Sequence, residues 1–203
     1  MKTTQKIKTT LLVGLLLTLA LTTCGTATPP EEPAISAESL VSAEAHFRQG
    51  NEFSQAGDFE KAAEEYEKAL EFAPDDVDVM TNLGVAYYSL GELDKAIEQY
   101  TMAIQRAPND ADIHSNLAAA YVQKHQTSGA SEQLDKALEE YQKAVELNPS
   151  LAQAFFGLGV VNALLGQNDA AIEAFEKFQE VDAGEDPMAT GNAQEYLKLL
   201  KGE

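Results

Sequence analysis

Residues 77–110, VDVMTNLGVAYYSLGELDKAIEQYTMAIQRAPND, carry two apolar stripes at helical spacing, one on each side of Gly91. The stripes are Met80, Leu83, Ala86, Tyr87 and Leu90, then Leu93, Ala96, Ile97, Tyr100 and Ile104. Glycine commonly follows the last turn of a helix, so Gly91 ends the first one. Pro108 stops the second, because a helix rarely continues through a proline. The stretch therefore predicts two short helices joined by a turn.

The same frame recurs along most of the chain. An alanine followed four residues later by an aromatic residue occurs at Ala62, Ala96, Ala137 and Ala171. The first two copies are 34 residues apart, and the third follows after 41. A proline closes each of the first three copies, whereas Ala183 stands at that position in the fourth. Helices this short are marginal alone in water, so stacking of neighbouring copies must stabilise them.

At this period and with this pattern, the sequence resembles the tetratricopeptide repeat (TPR) family. The resemblance runs from Ala43 to about Glu185 and is best in the second and third copies. It implies an all-α solenoid of about four helix-turn-helix repeats, at about 43–76, 77–110, 111–151 and 152–185. Asp186-Pro187 then starts a further helix, so residues 186–203 are expected to form a C-terminal capping helix.

The third copy contains seven additional residues, His125 to Ser131, with the sequence HQTSGAS. Serine, glycine and threonine favour irregular backbone, so the sequence predicts a longer turn between the two helices of this repeat. Two interpretations stay open: a tolerated insertion, or a loop that contacts a partner at the rim of a groove.

The amino-terminal residues have a different character and predict export. Three lysines precede an apolar run from Leu11 to Leu21, which is too short to cross a hydrocarbon core of roughly 30 Å as a helix. These features are typical of a secretory signal peptide, here residues 1–23. Leu21-Thr22-Thr23-Cys24 resembles the lipobox of bacterial lipoproteins, although Thr23 departs from the usual small residue. The resemblance implies cleavage before Cys24 and lipid attachment to its thiol.

Residues 24–37 then form a proline-rich tether in front of a solenoid that occupies residues 38–185. The predicted location is extracytoplasmic, lipid-anchored in the cell membrane or outer membrane. Two alternatives remain for the leader. Ordinary cleavage near Gly25-Thr26-Ala27 would leave a soluble secreted or periplasmic protein, and an uncleaved leader would act as an anchor itself.

The composition of the chain limits the classes of function and partner that can be expected. The formal charge of −19 disfavours nucleic acid and flat binding to anionic lipid, and it leaves basic or apolar protein segments as partners. The single cysteine forms no internal disulfide. The aspartates near Asp76 and Asp110 fall at predicted helix starts, where they act as caps, and an Asp or Asn is expected to cap the second helix of each repeat as well. Glu65 is expected on a solvated helix face, and His114 is expected to be a structural histidine. Because no nucleophile, base and orienting group can be named together, we expect no catalysis, metal or cofactor.

In TPR proteins the first helices of successive repeats line a concave groove that takes peptides. Carried over by position, the resemblance implies a partner-binding groove lined by Phe47, Arg48, Asn51, Asp78, Asn82, Val85, Tyr88, Asp112, Asn116, Ala119, Val122, Phe156 and Val160. TPR domains that bind the acidic tails of cytosolic chaperones use three cations where Phe47, Asp112 and Asn116 stand here, so that partner class is excluded.

The function expected from sequence is a protein-interaction scaffold in the cell envelope. The alternative is a self-associating structural envelope protein that uses the C-terminal end of the groove and the last helix as its oligomer interface.

Overall fold

The computed structural model describes residues 36–202, and over this range the chain forms nine α-helices and no strand. The helices are α1 (Ala37–Gln55), α2 (Phe59–Phe72), α3 (Val77–Ser89), α4 (Leu93–Arg106), α5 (Ala111–Ser128), α6 (Glu132–Leu147), α7 (Ala152–Leu164), α8 (Asn168–Asp182) and α9 (Pro187–Lys201). Successive helices pack as pairs, α1 with α2 through α7 with α8, and each pair packs on the next. This confirms the all-α TPR solenoid. We call the pairs repeats 1 to 4.

The predicted signal peptide, Cys24 and most of the tether lie outside the described residues. Within the described range, no helix combines the length and the apolar character needed to span a membrane.

Aspartates cap α3 and α5, the first helices of repeats 2 and 3, as the sequence predicts, whereas Ser36 caps α1 and α7 has no side-chain cap. Asp76 Oδ1 accepts hydrogen bonds from the backbone N–H groups of Asp78 and Val79, at 3.0 and 3.2 Å. Asp110 caps α5 in the same way, and Asp186 caps α9. A similar cap on every second helix was also expected, and this is wrong: Asp58 caps α2, but α4, α6 and α8 have no side-chain cap. Each of these three helices packs on the helix that follows it, α5, α7 or α9.

Glycine and an aromatic ring set the close approach of the two helices within a repeat. The Tyr100 ring of α4 lies so near Gly84 of α3 that a Cβ atom at Gly84 would sit 2.6 Å from the ring. Gly50 with Tyr66 and Gly159 with Phe175 repeat this contact. In repeat 3 alanine replaces the glycine, and the Tyr141 ring contacts Gly157 of the next repeat.

The prediction of a seven-residue turn in repeat 3 is wrong. Helix α5 continues through Ser128, and only three residues, 129–131, link it to α6. The hydroxyls of Thr127 and Ser128 donate to the Lys124 carbonyl oxygen, at 3.0 and 2.7 Å, which lets these polar residues extend the helix. Gly129 then ends it at φ 70°.

Two histidines form matching part-buried pairs with glutamates in repeats 1 and 3. The Nδ1 atoms of His46 and His114 lie 2.7 and 2.6 Å from carboxylate oxygens of Glu65 and Glu140. His114 was predicted to be structural and is indeed buried, with Nε2 3.1 Å from the Pro108 carbonyl oxygen. Glu65 was predicted to face solvent, and this is wrong, because it is 7% exposed. Its charge is compensated by His46 and by Lys68.

The C-terminal helix closes the core of repeat 4. Ala193 and Leu197 of α9 are buried against Phe175 and Phe178 of α8. Tyr196 stacks on Phe175 with ring centroids 4.9 Å apart. The apolar face predicted for this helix is confirmed.

Candidate functional site

An open cavity of about 520 Å³ lies between the first helices of repeats 2, 3 and 4. Its lining is Tyr88, Ser89, Ala119, Val122, Gln123, Gln126, Tyr141, Phe156, Gly157 and Val160. None of these ten described residues is charged. The cavity is therefore an uncharged site in a strongly acidic chain.

Helical spacing explains why these side chains share one face. On α5 the lining residues include Ala119, Val122 and Gln126, which are separated by three and four positions and so lie above one another. Two small residues, Ala119 and Gly157, leave the floor open. Tyr141, which belongs to the second helix of repeat 3, reaches this floor through the gap beside Gly157.

One buried polar atom at this cavity lacks a hydrogen-bond partner within the described chain. The Oε1 atom of Gln123 is buried and accepts no hydrogen bond from any of these residues. Burial raises the pKa of the Tyr88 phenol, and burial together with the neighbouring Tyr88 raises the pKa of Tyr141. Both hydroxyls are therefore protonated at neutral pH and able to donate. The site offers hydrogen-bond donors and an acceptor to a ligand.

A second cavity, of about 510 Å³, continues the first toward the C-terminal helix. It shares Phe156 and Val160 with the first and is completed by Asn192, Glu195, Tyr196 and Leu199 of α9. We call the two joined cavities the central groove. The terminal helix forms one wall of this groove, and Glu195 is the charged residue of its lining.

A separate cavity of about 500 Å³ lies at the amino-terminal end of the described chain. Phe47 and Arg48 line it together with Asp76 and with the exposed Leu40 and Val41 of α1. These two predicted groove residues are therefore apart from the central groove.

The predicted groove residues thus divide into sets. Five of them meet in the central groove: Tyr88, Ala119, Val122, Phe156 and Val160. Val85 packs against the core, and the side-chain oxygen of Asn51 accepts the Tyr66 hydroxyl hydrogen at 2.7 Å. Asn82 and Asn116 are half-buried and line none of the three cavities described above.

The two predicted acidic residues lie on one edge of the solenoid. Asp78 and Asp112 are exposed in the first turns of α3 and α5. Each lies ten positions before a central-groove residue of its own helix, Tyr88 or Val122, which is about 15 Å along the axis. The structure does not bring these carboxylates into the cavity.

Sequence reasoning missed the polar members of the groove. Gln123, Gln126 and Ser89 follow the predicted apolar positions by one or four residues, so the helical pattern contained the signal. Tyr141 could not be found in this way, because it comes from a second helix. Among the described residues, no group of three or more histidine, cysteine or acidic side chains is placed to hold a metal ion.

Comparisons with known proteins agree with this geometry. Family models described as tetratricopeptide repeat or TPR repeat match residues 43–111, 130–166 and 152–184. The chain belongs to the tetratricopeptide repeat family. No curated protein matches it.

Among solved structures, the chain resembles a crystal structure of MamA protein, with 25% identity, a TM-score of 0.63, and coverage of 78% of this chain and 90% of that one. It also resembles YrrB, described as a TPR protein with an unusual peptide-binding site, with 24% identity, a TM-score of 0.63, and coverage of 79% and 76%. A third is the first TPR of Spaghetti (RPAP3) bound to an HSP90 peptide, with 21% identity, a TM-score of 0.57, and coverage of 63% and 95%. The last two likenesses concern the fold alone.

Proposed function

We propose that this protein is a non-catalytic interaction module that binds a peptide segment of a partner protein in the central groove. The observation that carries the proposal is the cavity between α3, α5 and α7, which is uncharged and contains the unpaired Gln123 Oε1 atom. An extended or helical peptide would supply both apolar side chains and backbone N–H and C=O groups.

The chemistry of the lining defines the ligand. Val122, Phe156 and Val160 would receive one or two apolar side chains of the peptide. Gln123 Oε1 would accept a backbone N–H, and the Tyr88 hydroxyl would donate to a carbonyl oxygen. A basic residue flanking the apolar ones would be attracted by the acidic edge at Asp78 and Asp112.

A selection from a random heptapeptide library tests the proposal on the full chain. We expect enriched peptides with apolar residues at the centre and lysine or arginine at one end. Ala119→Arg places a charge on the floor and should weaken their binding about tenfold or more. Thr101→Arg, on the exposed side of α4, is the matched control and should bind normally. Equal binding by both variants, each with native circular dichroism, would refute the proposal.

The contribution of Asp78 and Asp112 to peptide binding can be tested separately. Reversing both charges, with Asp78→Lys and Asp112→Lys, should weaken capture of a basic peptide and reduce its dependence on salt. The effect on an uncharged peptide should be small, because neither carboxylate lines the central groove. Unchanged affinity for the basic peptide would remove the acidic edge from the mechanism.

We further propose that the module works outside the cytoplasm on a lipid anchor at Cys24. Support comes from the basic start, the short apolar run and the lipobox-like Leu21-Thr22-Thr23-Cys24. In cells that process lipoproteins, labelled palmitate should enter the protein and should not enter Cys24→Ser. A mature protein that begins at Thr28 and partitions into water would contradict the anchor and leave the binding module unaffected.

Self-association is a second candidate function. It is favoured by Met188 and Leu199 of α9, which are 77% and 76% exposed. Light scattering of the protein without residues 1–23 decides the matter: a concentration-dependent dimer supports this candidate, and a monomer at all concentrations argues against it.

A further inference from the structure

An additional cavity, of about 620 Å³, opens on another face of α7. From α7 it is lined by Phe155, Leu158 and Asn162, whereas the central groove uses Phe156 and Val160. Each residue turns an α-helix by about 100°, so the two sets point in different directions. The outer cavity, as we call it, is completed by residues of α6 and α8.

In the other three repeats the equivalent place is filled by the protein itself. Each has an aromatic ring on the first helix with a lysine ammonium of the second helix over it. The pairs are Phe53 with Lys61, Tyr87 with Lys95 and Tyr121 with Lys136, at 5.3, 4.8 and 5.8 Å from nitrogen to ring centroid. Such cation–π contacts fix both the ring and the cation.

Repeat 2 shows a third contact. The Tyr87 hydroxyl donates a hydrogen bond to the Glu67 carboxylate, which belongs to the preceding repeat. Burial, followed by this contact, raises the pKa of Tyr87, so its hydroxyl stays a donor. The filled site of repeat 2 therefore has a ring, a cation above it and an acceptor at the end of the ring.

Repeat 4 lacks the ring and the lysine that the other three repeats have, and it also lacks the acceptor seen in repeat 2. By the repeat frame, Asn162 stands where Tyr87 stands, Ala170 replaces the lysine, and Gln142 replaces Glu67. All three line the outer cavity. The Asn162 side chain turns back, with Nδ2 donating to the Leu158 carbonyl oxygen at 2.8 Å, and so leaves the space open. The outer cavity is the place that a ring and a lysine occupy elsewhere.

The charges around the cavity are suited to the missing cation. Its lining includes three glutamates of α8 and a single lysine, Lys177. The ammonium of Lys177 is paired with Glu180 at 2.7 Å, and that of Lys201 with Glu176, also at 2.7 Å, so Glu173 is the one of the three glutamates without a lysine partner among the described residues. Glu173 and Glu176 lie on the same helix face, one turn apart. The walls are therefore net negative, while Phe155 and Leu158 provide an apolar floor.

We propose that the outer cavity binds an aromatic side chain of a partner segment in which the neighbouring residue is lysine or arginine. The partner's ring lies on Phe155 and Leu158, in the place that corresponds to the Tyr87 ring of repeat 2. If the partner residue is tyrosine, its hydroxyl donates to the Gln142 amide oxygen. The basic side chain pairs with Glu173, the α8 carboxylate of the lining that has no lysine partner among the described residues. This site does not depend on the central groove, so either can fail without the other.

The test uses the full chain and the dipeptide probe N-acetyl-tyrosyl-lysine amide. We expect saturable shifts of the backbone amide signals of Gln142, Asn162 and Ala170, with a dissociation constant on the order of 1 mM for so small a ligand. N-acetyl-alanyl-lysine amide and N-acetyl-tyrosyl-glutamate amide should bind at least about fivefold more weakly. Shifts centred on α3 and α5, or equal binding of the three probes, would overturn the proposal.

Restoring the repeat-2 residues supplies the decisive variant. Asn162→Tyr combined with Ala170→Lys should fill the cavity from within, raise the thermal midpoint or leave it unchanged, and abolish probe binding. Ala130→Lys, an exposed lysine in the α5–α6 link, is the control and should bind like the parent. A lower thermal midpoint would show that the outer cavity is not equivalent to the filled site of repeat 2, and it would overturn the inference. Independently, Glu173→Lys should lower the preference for the lysine probe over the glutamate probe, and an unchanged preference would contradict the assigned charge.

Discussion

Replacing Phe175 by alanine is expected to lower the free energy of unfolding of the C-terminal repeat by about 3–5 kcal/mol. Phe175 is fully buried, at 0% exposure, so alanine would lose the transfer energy of the ring and leave a cavity. The ring also stacks on Tyr196 at 4.9 Å and meets Phe156 edge-on at 5.7 Å between centroids. These two aromatic contacts put the expected cost in the upper part of that range.

The loss should be local. In a solenoid each repeat contacts only its neighbours, so stability is a sum of repeat and interface contributions. Phe175 joins α7, α8 and α9 through its contacts with Phe156 and Tyr196. We therefore expect the amides of these helices to lose hydrogen-exchange protection, while those of α1 to α4 keep it.

Hydrogen exchange followed by mass spectrometry, with urea unfolding in parallel, measures both quantities. Leu199→Ala is the matched control on the same part of the chain, because Leu199 is 76% exposed, and it should change stability by less than about 0.5 kcal/mol. A cost for Phe175→Ala below about 1 kcal/mol would refute the packing argument. An equal loss of protection in all helices would refute the repeat-by-repeat view.

Three further outcomes follow from the contacts. Gly191→Ala should stabilise the protein by roughly 0.5–1 kcal/mol, because a Cβ atom there meets nothing within 4 Å inside a helix, and a higher thermal midpoint checks this. Gly84→Ala should instead lower the midpoint, since the new Cβ would lie 2.6 Å from the Tyr100 ring, and a rise would contradict the close packing. The bonded Lys68 ammonium helps to hold the pKa of Glu65 below its ordinary value of 4.5, so its contribution to stability is present above that pH and is lost as the pH falls through the lowered pKa. Acid unfolding curves should therefore fall less steeply for Glu65→Gln than for the parent, and identical slopes would contradict this assignment.

The fold could be predicted from sequence because the residues that recur in each repeat are the ones that helix packing requires. Alanine and glycine at the close approaches, the aromatic ring four residues after each alanine, and the aspartate caps all occupy their predicted places. Each of these is a local requirement repeated at a fixed period. Stacking of like units then leaves little freedom in how the helices are arranged.

The extent of α5 could not be predicted in the same way. Residues 125–131 are polar, and polarity favours a loop only if the side chains do not satisfy the backbone of a helix. Thr127 and Ser128 do so, through the Lys124 carbonyl oxygen. A hydroxyl can donate to a carbonyl oxygen of the preceding helical turn or to water. The composition does not reveal which of the two occurs, because the outcome depends on local and tertiary contacts.

The residues of the candidate groove could be predicted from family position, but their division between separate cavities could not. Family position places a residue on the concave side but says nothing about the sizes of its neighbours. Ala119 and Gly157 open the central cavity by being small, and Tyr141 enters it from behind. Family position assigns Asp78 and Asp112 to the same groove, yet about 15 Å along the helices separates them from the cavity.

The weak match of repeat 4 to the family pattern carries structural information of its own. Asn162, Ala170 and Gln142 are far apart in sequence, and each alone is an ordinary departure from the frame. Compared with repeat 2, they remove a ring, the cation above it and the acceptor beside it, and the three positions border one cavity. The cavity keeps an apolar floor and acidic walls, which suit the ring and the cation that occupy this place in repeat 2. Repeat 4, which matches the family pattern least well, therefore differs from the other repeats in the chemistry of this one site. A partner side chain can take the place of the ring and the lysine that repeat 4 lacks.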